Sequence, residues 1–196
     1  MAERIEYIRK RKPPLVLAFN EPDGKDQSDL TVEQVIRVWP YFESLRIPIA
    51  SPAAVNPLDS WMEEFMSQVA KRNLRVDIIA VHSYGGTSVR SFMKLLQDVY
   101  SKYQRPILVT EFAVADWNAR TVQENRYTPD QVLAFMQAVL PWMESQHWII
   151  GYAWFSFSLT SAPGWSSSLF DSRGNMNALG RYYASFGRTK AKVLTV

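Results

Sequence analysis

Five short apolar runs recur along the chain at nearly even spacing, and this rhythm restricts the fold more than any other feature. They are LVLAFN at residues 15 to 20, IPIAS at 47 to 51, DIIAVH at 77 to 82, PILVT at 106 to 110 and IIGYAWF at 149 to 155. Each has the length and content of a buried strand. Between them lie segments of helical periodicity near residues 3 to 12, 32 to 45, 58 to 72, 89 to 103 and 129 to 146, with a last one near 176 to 186. Two helix starts carry capping boxes: Thr31 with Gln34 three residues on, and Thr128 with Gln131 around Pro129. Continuous apolar strands alternating with amphipathic helices predict a parallel sheet covered by helices.

The spacing narrows the choice. Strand starts at 15, 47, 77, 106 and 149 are separated by 32, 30, 29 and 43 residues, against roughly 31 per unit in an eight-unit barrel of about 250 residues. The expected fold class is therefore α/β, a (β/α)8 TIM-barrel type present in part, with about five C-terminal β/α units. The long last interval is absorbed by a polar loop, DWNARTVQENRYTP, at residues 116 to 129. A doubly wound open sheet has similar units, but no glycine-rich turn follows any strand, as phosphate or dinucleotide sites usually require. Closure needs eight strands, so the beginning of the barrel is expected to be missing. An open sheet edge then invites self-association. With 196 residues and 47% hydrophobic content, one catalytic domain over 1 to 196 is expected.

Composition excludes several classes. The net charge of +3 is mild, and the surplus is concentrated in Arg9, Lys10, Arg11 and Lys12, a solvated helix end with no basic and aromatic interleaving elsewhere. No nucleic-acid partner is expected. The absence of cysteine removes disulfides and thiolate metal sites. His82 and His147 lack ligand spacing, so neither a metal nor a cofactor is expected. No segment is apolar enough for a membrane span, and nothing near Met1 resembles a signal peptide. Localisation is left open.

The chemistry gathers where strands end. LAFNEPD ends in Glu21, IIAVHSYGG in His82 and Tyr84, ILVTEFA in Glu111, and GYAWFSF carries Trp154. In a parallel barrel the C-terminal strand ends form the catalytic face. Glu21 and Glu111 are 90 residues apart, close to three units, so their carboxylates are expected to face each other across the mouth. A carboxylate pair in an aromatic cleft points to glycoside hydrolysis, in which one group donates a proton and the other attacks or activates water. Each signal has an ordinary structural reading too. A Glu before Pro can cap a turn, a lone His in an apolar run is more often a core residue, and aromatics around Trp154 can fill a barrel. Their shared position at strand ends favours the enzyme reading.

FNEPD, SPAAVNPLDSWMEEFM, VDIIAVHSYG, ILVTEFAV, GYAWF and LGRYYASF, in that order, resemble the landmarks of the Asl1-like glycosyl hydrolase catalytic domain, glycoside hydrolase family 128. Its members are mostly endo-β-1,3-glucanases of clan A. The resemblance spans roughly residues 15 to 187. It implies a retaining hydrolase of β-1,3-glucan, with Glu21 as acid/base on the fourth barrel strand and Glu111 as nucleophile on the seventh. It further implies that Asn20 binds the sugar 2-hydroxyl, that Tyr84 orients the nucleophile, and that His82 and Trp154 line the reacting subsite. Trp117 and Trp165 have indoles able to stack on pyranose faces. The alternative is a non-catalytic β-glucan-binding remnant of such a hydrolase.

Overall fold

The computed structural model describes residues 2 to 186. They form six helices and five strands in strict alternation: α1 (Ala2–Arg11), β1 (Val16–Leu17), α2 (Val32–Glu43), β2 (Ile49–Ala50), α3 (Ser60–Lys71), β3 (Ile79–Gly85), α4 (Val89–Tyr103), β4 (Ile107–Val114), α5 (Pro129–Ser145), β5 (Ile149–Trp154) and α6 (Ala178–Phe186). Each element lies on a run expected from the sequence. Both capping boxes form, with Thr31 accepting from the Gln34 N–H and Thr128 from that of Gln131. β1 and β2 pair in parallel, Val16 opposite Ile49 and Leu17 opposite Ala50, and a bridge joins Ala50 to Ile78. β3, β4 and β5 form a sheet in that order. β3 and β4 run in parallel, since Ile79 N–H bonds Pro106 while Gly85 accepts from Ala115 N–H.

Strand lengths depart from the apolar runs for two reasons. β1 and β2 are cut to two residues each by nearby Pro14, Pro48 and Pro52, which have no N–H to give a ladder. β3 and β4 run past their apolar stretches, through Tyr84 and Glu111, because a ladder takes backbone groups whatever the side chain.

The chain divides into two compact units. The first holds residues up to His82 together with Val99–Thr110. Its helix α2 buries Val32, Val35, Ile36, Trp39 and Phe42, the spacing of one helical face, and α3 buries Met62, Phe65 and Val69. Trp39 meets Phe65 edge to face at 5.0 Å, and its indole N–H reaches the Arg75 carbonyl at 2.8 Å. The second holds, among the described residues, Ser83–Asp98 and residues 111 to 186. Phe92 packs between Phe112 and Phe135, each 5.5 Å away, and Phe112 meets Trp154 at 5.0 Å. Burying such a ring contributes about 1.5–3 kcal/mol.

Candidate active site

Within the first unit, the functional corner is built where β1 ends. Pairing continues one step beyond the strand: Ala53 N–H donates to Phe19 and Glu21 N–H to Ala53, at 2.9 and 2.8 Å. Glu21 then turns out of the ladder with φ of 39°. A residue before proline is ordinarily extended, and a left-handed backbone costs a non-glycine residue about 1–3 kcal/mol. The turn is held by its own side chains. Asp23 accepts from Val55 N–H at 2.8 Å, and Ser28 donates to the Asn20 carbonyl at 2.6 Å. This strained backbone delivers the Glu21 carboxyl to His82, with Oε1 2.7 Å from Nδ1. His82 is buried and the Glu21 side chain is 14% exposed. Asn20 is exposed, its amide 3.4 Å from Gln27.

Within the second unit, Glu111 sits inside the ladder of β4, between Thr110 and Phe112. The Tyr84 hydroxyl donates to its Oε2 at 2.5 Å. Around Tyr84 stand Phe155, Phe157 and Trp117, with ring centroids 5.5, 5.9 and 5.9 Å away. Trp117 is 62% exposed, and its N–H is fastened to the Tyr84 carbonyl at 3.2 Å, leaving indole surface open to a ligand. Strand alternation separates its neighbours: Trp154 is buried with its N–H on the Ser167 carbonyl at 2.8 Å, whereas Phe155 is 41% exposed. Trp165 lies on a short helical turn, Trp165–Ser167. Gly164 before it must lack a side chain, because a Cβ there would lie 2.1 Å from the Phe157 ring.

His82 and Tyr84 are two residues apart on β3, so both project from one face of that strand. Two residues outside the sequence-derived set support the corners. Asp23 was visible only as part of the acidic cluster. Asp116, the first residue of the polar loop, is buried and accepts from Asn118 N–H, Arg126 N–H and the Arg126 guanidinium at 3.0–3.3 Å. The Arg126 backbone N–H, chiefly, holds its carboxyl below the usual carboxylate range. A lone Asp at a loop start gives no sequence signal for such a hub.

The family model for the glycosyl hydrolase catalytic core matches residues 1–183. The chain belongs to the glycosyl hydrolase catalytic core family. It is 29% identical over 181 residues to alkali-sensitive linkage protein 1 of Schizosaccharomyces pombe, covering 87% of this chain and 32% of that protein. The chain thus spans about a third of the length of the curated relative it matches. Among solved structures it is similar to a GH128 subgroup I endo-β-1,3-glucanase from Amycolatopsis mediterranei in complex with laminaritriose. Identity is 28%, the TM-score 0.82, and coverage 95% of this chain and 78% of that one. Forms of that enzyme with one or the other of two glutamates replaced have been solved with laminari-oligosaccharides. It is similar also to a GH128 subgroup V exo-β-1,3-glucanase from Cryptococcus neoformans, at 26% identity and TM-score 0.75, covering 90% and 70%. The family resemblance read from six sequence landmarks is therefore correct. So is the fold class, an α/β fold of partial (β/α)8 type.

Proposed function

We propose that this chain is the catalytic part of a retaining glycoside hydrolase that cleaves β-1,3-glucan, with Glu21 as acid/base and Glu111 as nucleophile. The observation that carries this reading is the division of labour on β3. His82 binds Glu21 and Tyr84 binds Glu111, and the two partners share one face of one strand. The chemistry suits each partner. His82 Nδ1 either donates to a Glu21 carboxylate or accepts from its acid form, so the bond serves both halves of a proton shuttle. Tyr84 donates to one oxygen of Glu111, which orients the carboxylate for attack on the anomeric carbon. Asn20 binds the 2-hydroxyl, and Trp117 offers a stacking face beside Tyr84.

Laminari-oligosaccharides are the substrate class this reading assigns, by similarity to the Amycolatopsis enzyme. The test is reducing-sugar release from laminarin with the product anomer followed by NMR. Initial release of the β anomer, the configuration of the bond cleaved, is expected. First release of the α anomer would make the pair inverting, and no release would leave the binding remnant as the better reading. The same reading includes self-association through the sheet edge. Among the described residues β1 pairs only with β2, and Leu17 is 57% exposed. Sedimentation that shows no dependence on protein concentration would discard that part alone.

A further inference from the structure

Within the second unit the sheet ends on β5, which among the described residues pairs only with β4. In a parallel ladder, alternate residues turn both of their backbone groups to the same neighbour. Phe155 N–H donates to the Phe112 carbonyl at 2.9 Å, so Phe155 and, by alternation, Ala153 and Gly151 face β4, whereas Tyr152 and Trp154 face the open side. The edge therefore presents the Tyr152 carbonyl and the Trp154 N–H. Both are met by one atom. Trp154 N–H donates to the Tyr183 hydroxyl oxygen at 3.1 Å, and that hydroxyl donates to the Tyr152 carbonyl at 3.5 Å. A neighbouring parallel strand would serve these two groups with the carbonyl and the N–H of a single residue. A phenol is both acceptor and donor, and Tyr183 reproduces that pair from helix α6. Its ring lies against Tyr152 with centroids 6.4 Å apart, and the Tyr152 hydroxyl is itself tied to Glu144 at 2.6 Å.

We propose that Tyr183 closes the β5 edge against strand addition and so denies that edge to a second copy of this chain. The choice of partner rests on the self-association reading above; the closure rests on the geometry of β5 alone. An uncovered edge is a template for another strand. Here an incoming strand must first displace the Tyr183 hydroxyl from both backbone groups. Among the described residues β1 shows no counterpart of this cap, and its Leu17 is 57% exposed. Association between copies is thereby directed to β1.

The test starts from Tyr183→Phe, which keeps the ring and removes the hydroxyl. In hydrogen exchange of the folded chain followed by NMR, the Trp154 amide should exchange about 2- to 10-fold faster in this variant, the worth of one ordinary hydrogen bond. The Phe155 amide, bonded within the ladder, should keep its rate. The chain has no cysteine, so chains carrying Leu17→Cys and chains carrying Ala153→Cys, an exposed position of β5, are mixed, oxidised and mapped by peptide mass spectrometry. No disulfide through position 153 is expected while Tyr183 is intact, and such disulfides are expected in Tyr183→Phe. Four results overturn the closure: an unchanged Trp154 rate, an equal rise at Phe155, disulfides through position 153 with Tyr183 intact, or none through it once the hydroxyl is gone. Disulfides through position 153 in Tyr183→Phe, with none between two copies of position 17 in either background, support the closure and sink association through β1. The two readings therefore fail separately.

Discussion

The corners that carry Glu21 and Glu111 solve the same problem by opposite means. Glu111 lies inside an eight-residue strand, with the next residue accepting from Phe155 N–H at 2.9 Å. Its backbone is fixed by the ladder, and the Tyr84 hydroxyl donates to the carboxylate. Glu21 follows a strand of two residues and stands on a left-handed backbone. No ladder holds it beyond its own N–H, so Asp23 and Ser28 clamp the turn from outside. Under the proposed roles, the nucleophile is supported by regular structure, and the acid/base sits on a turn braced by side chains.

The sharpest contrast is expected from removing the carboxylates themselves. Glu111→Ala should abolish turnover of both laminarin and an aryl glucoside with a good leaving group, with partial rescue by azide. Glu21→Ala should lose about 10²- to 10⁴-fold on laminarin yet still release the activated leaving group, which needs no proton. Equal losses on the activated substrate would erase the distinction of roles.

Next come the supports. Asp23→Ala should cost about 0.5–1.5 kcal/mol of stability, the ordinary net worth of a hydrogen bond, because Val55 is exposed and water can reach its N–H. It should also reduce kcat about 100-fold, because a shift of about 1 Å at a reacting group has that effect. Tyr84→Phe should lower kcat about 10- to 100-fold, as loss of a hydrogen bond to a charged group implies, with little change in the melting temperature. If Tyr84→Phe proves the more destabilising of the two, the idea that the ladder alone carries the Glu111 corner is wrong.

Acid should act on the second unit through Asp116. Its carboxyl is held below the ordinary value of about 3.9, so the unfolded chain takes up that proton first as pH falls. The stabilisation is present above about pH 4 and is lost as pH drops through the lower folded value. Near-UV circular dichroism should report the loosening of the loop after Asp116, and Asp116→Asn should remove this acid dependence. The smallest effect concerns the first unit, where Lys12, Arg46, Asn73 and Gln104 take positive φ near the ends of helices. A glycine at such a C-terminal cap relieves the steric cost. Gln104→Gly should therefore stabilise by up to about 1 kcal/mol, a rise in melting temperature of about 2–4 °C.

Much of this was legible before any coordinates. Hydrophobic period and capping residues are local properties, and they located all six helices, all five strands and the acidic cluster that ends β1. Six motifs in order sufficed for the family. What the sequence left open depends on register and on contacts between distant residues. The His82 partner of Glu21 is 61 positions away, and no pattern within either segment encodes that pairing; the link between Tyr84 and Glu111 was reached only through the family resemblance. Apolar patterning gave no warning that prolines shorten β1 and β2, that ladder bonds lengthen β3 and β4, or that Glu21 is left-handed. Nor could it separate three of the tryptophans. Trp154 is packed away, Trp117 is open with its N–H engaged, and Trp165 keeps a buried N–H that no protein group meets. Burial and hydrogen bonding are set by whichever side chains the fold brings alongside, and only the tertiary structure decides those.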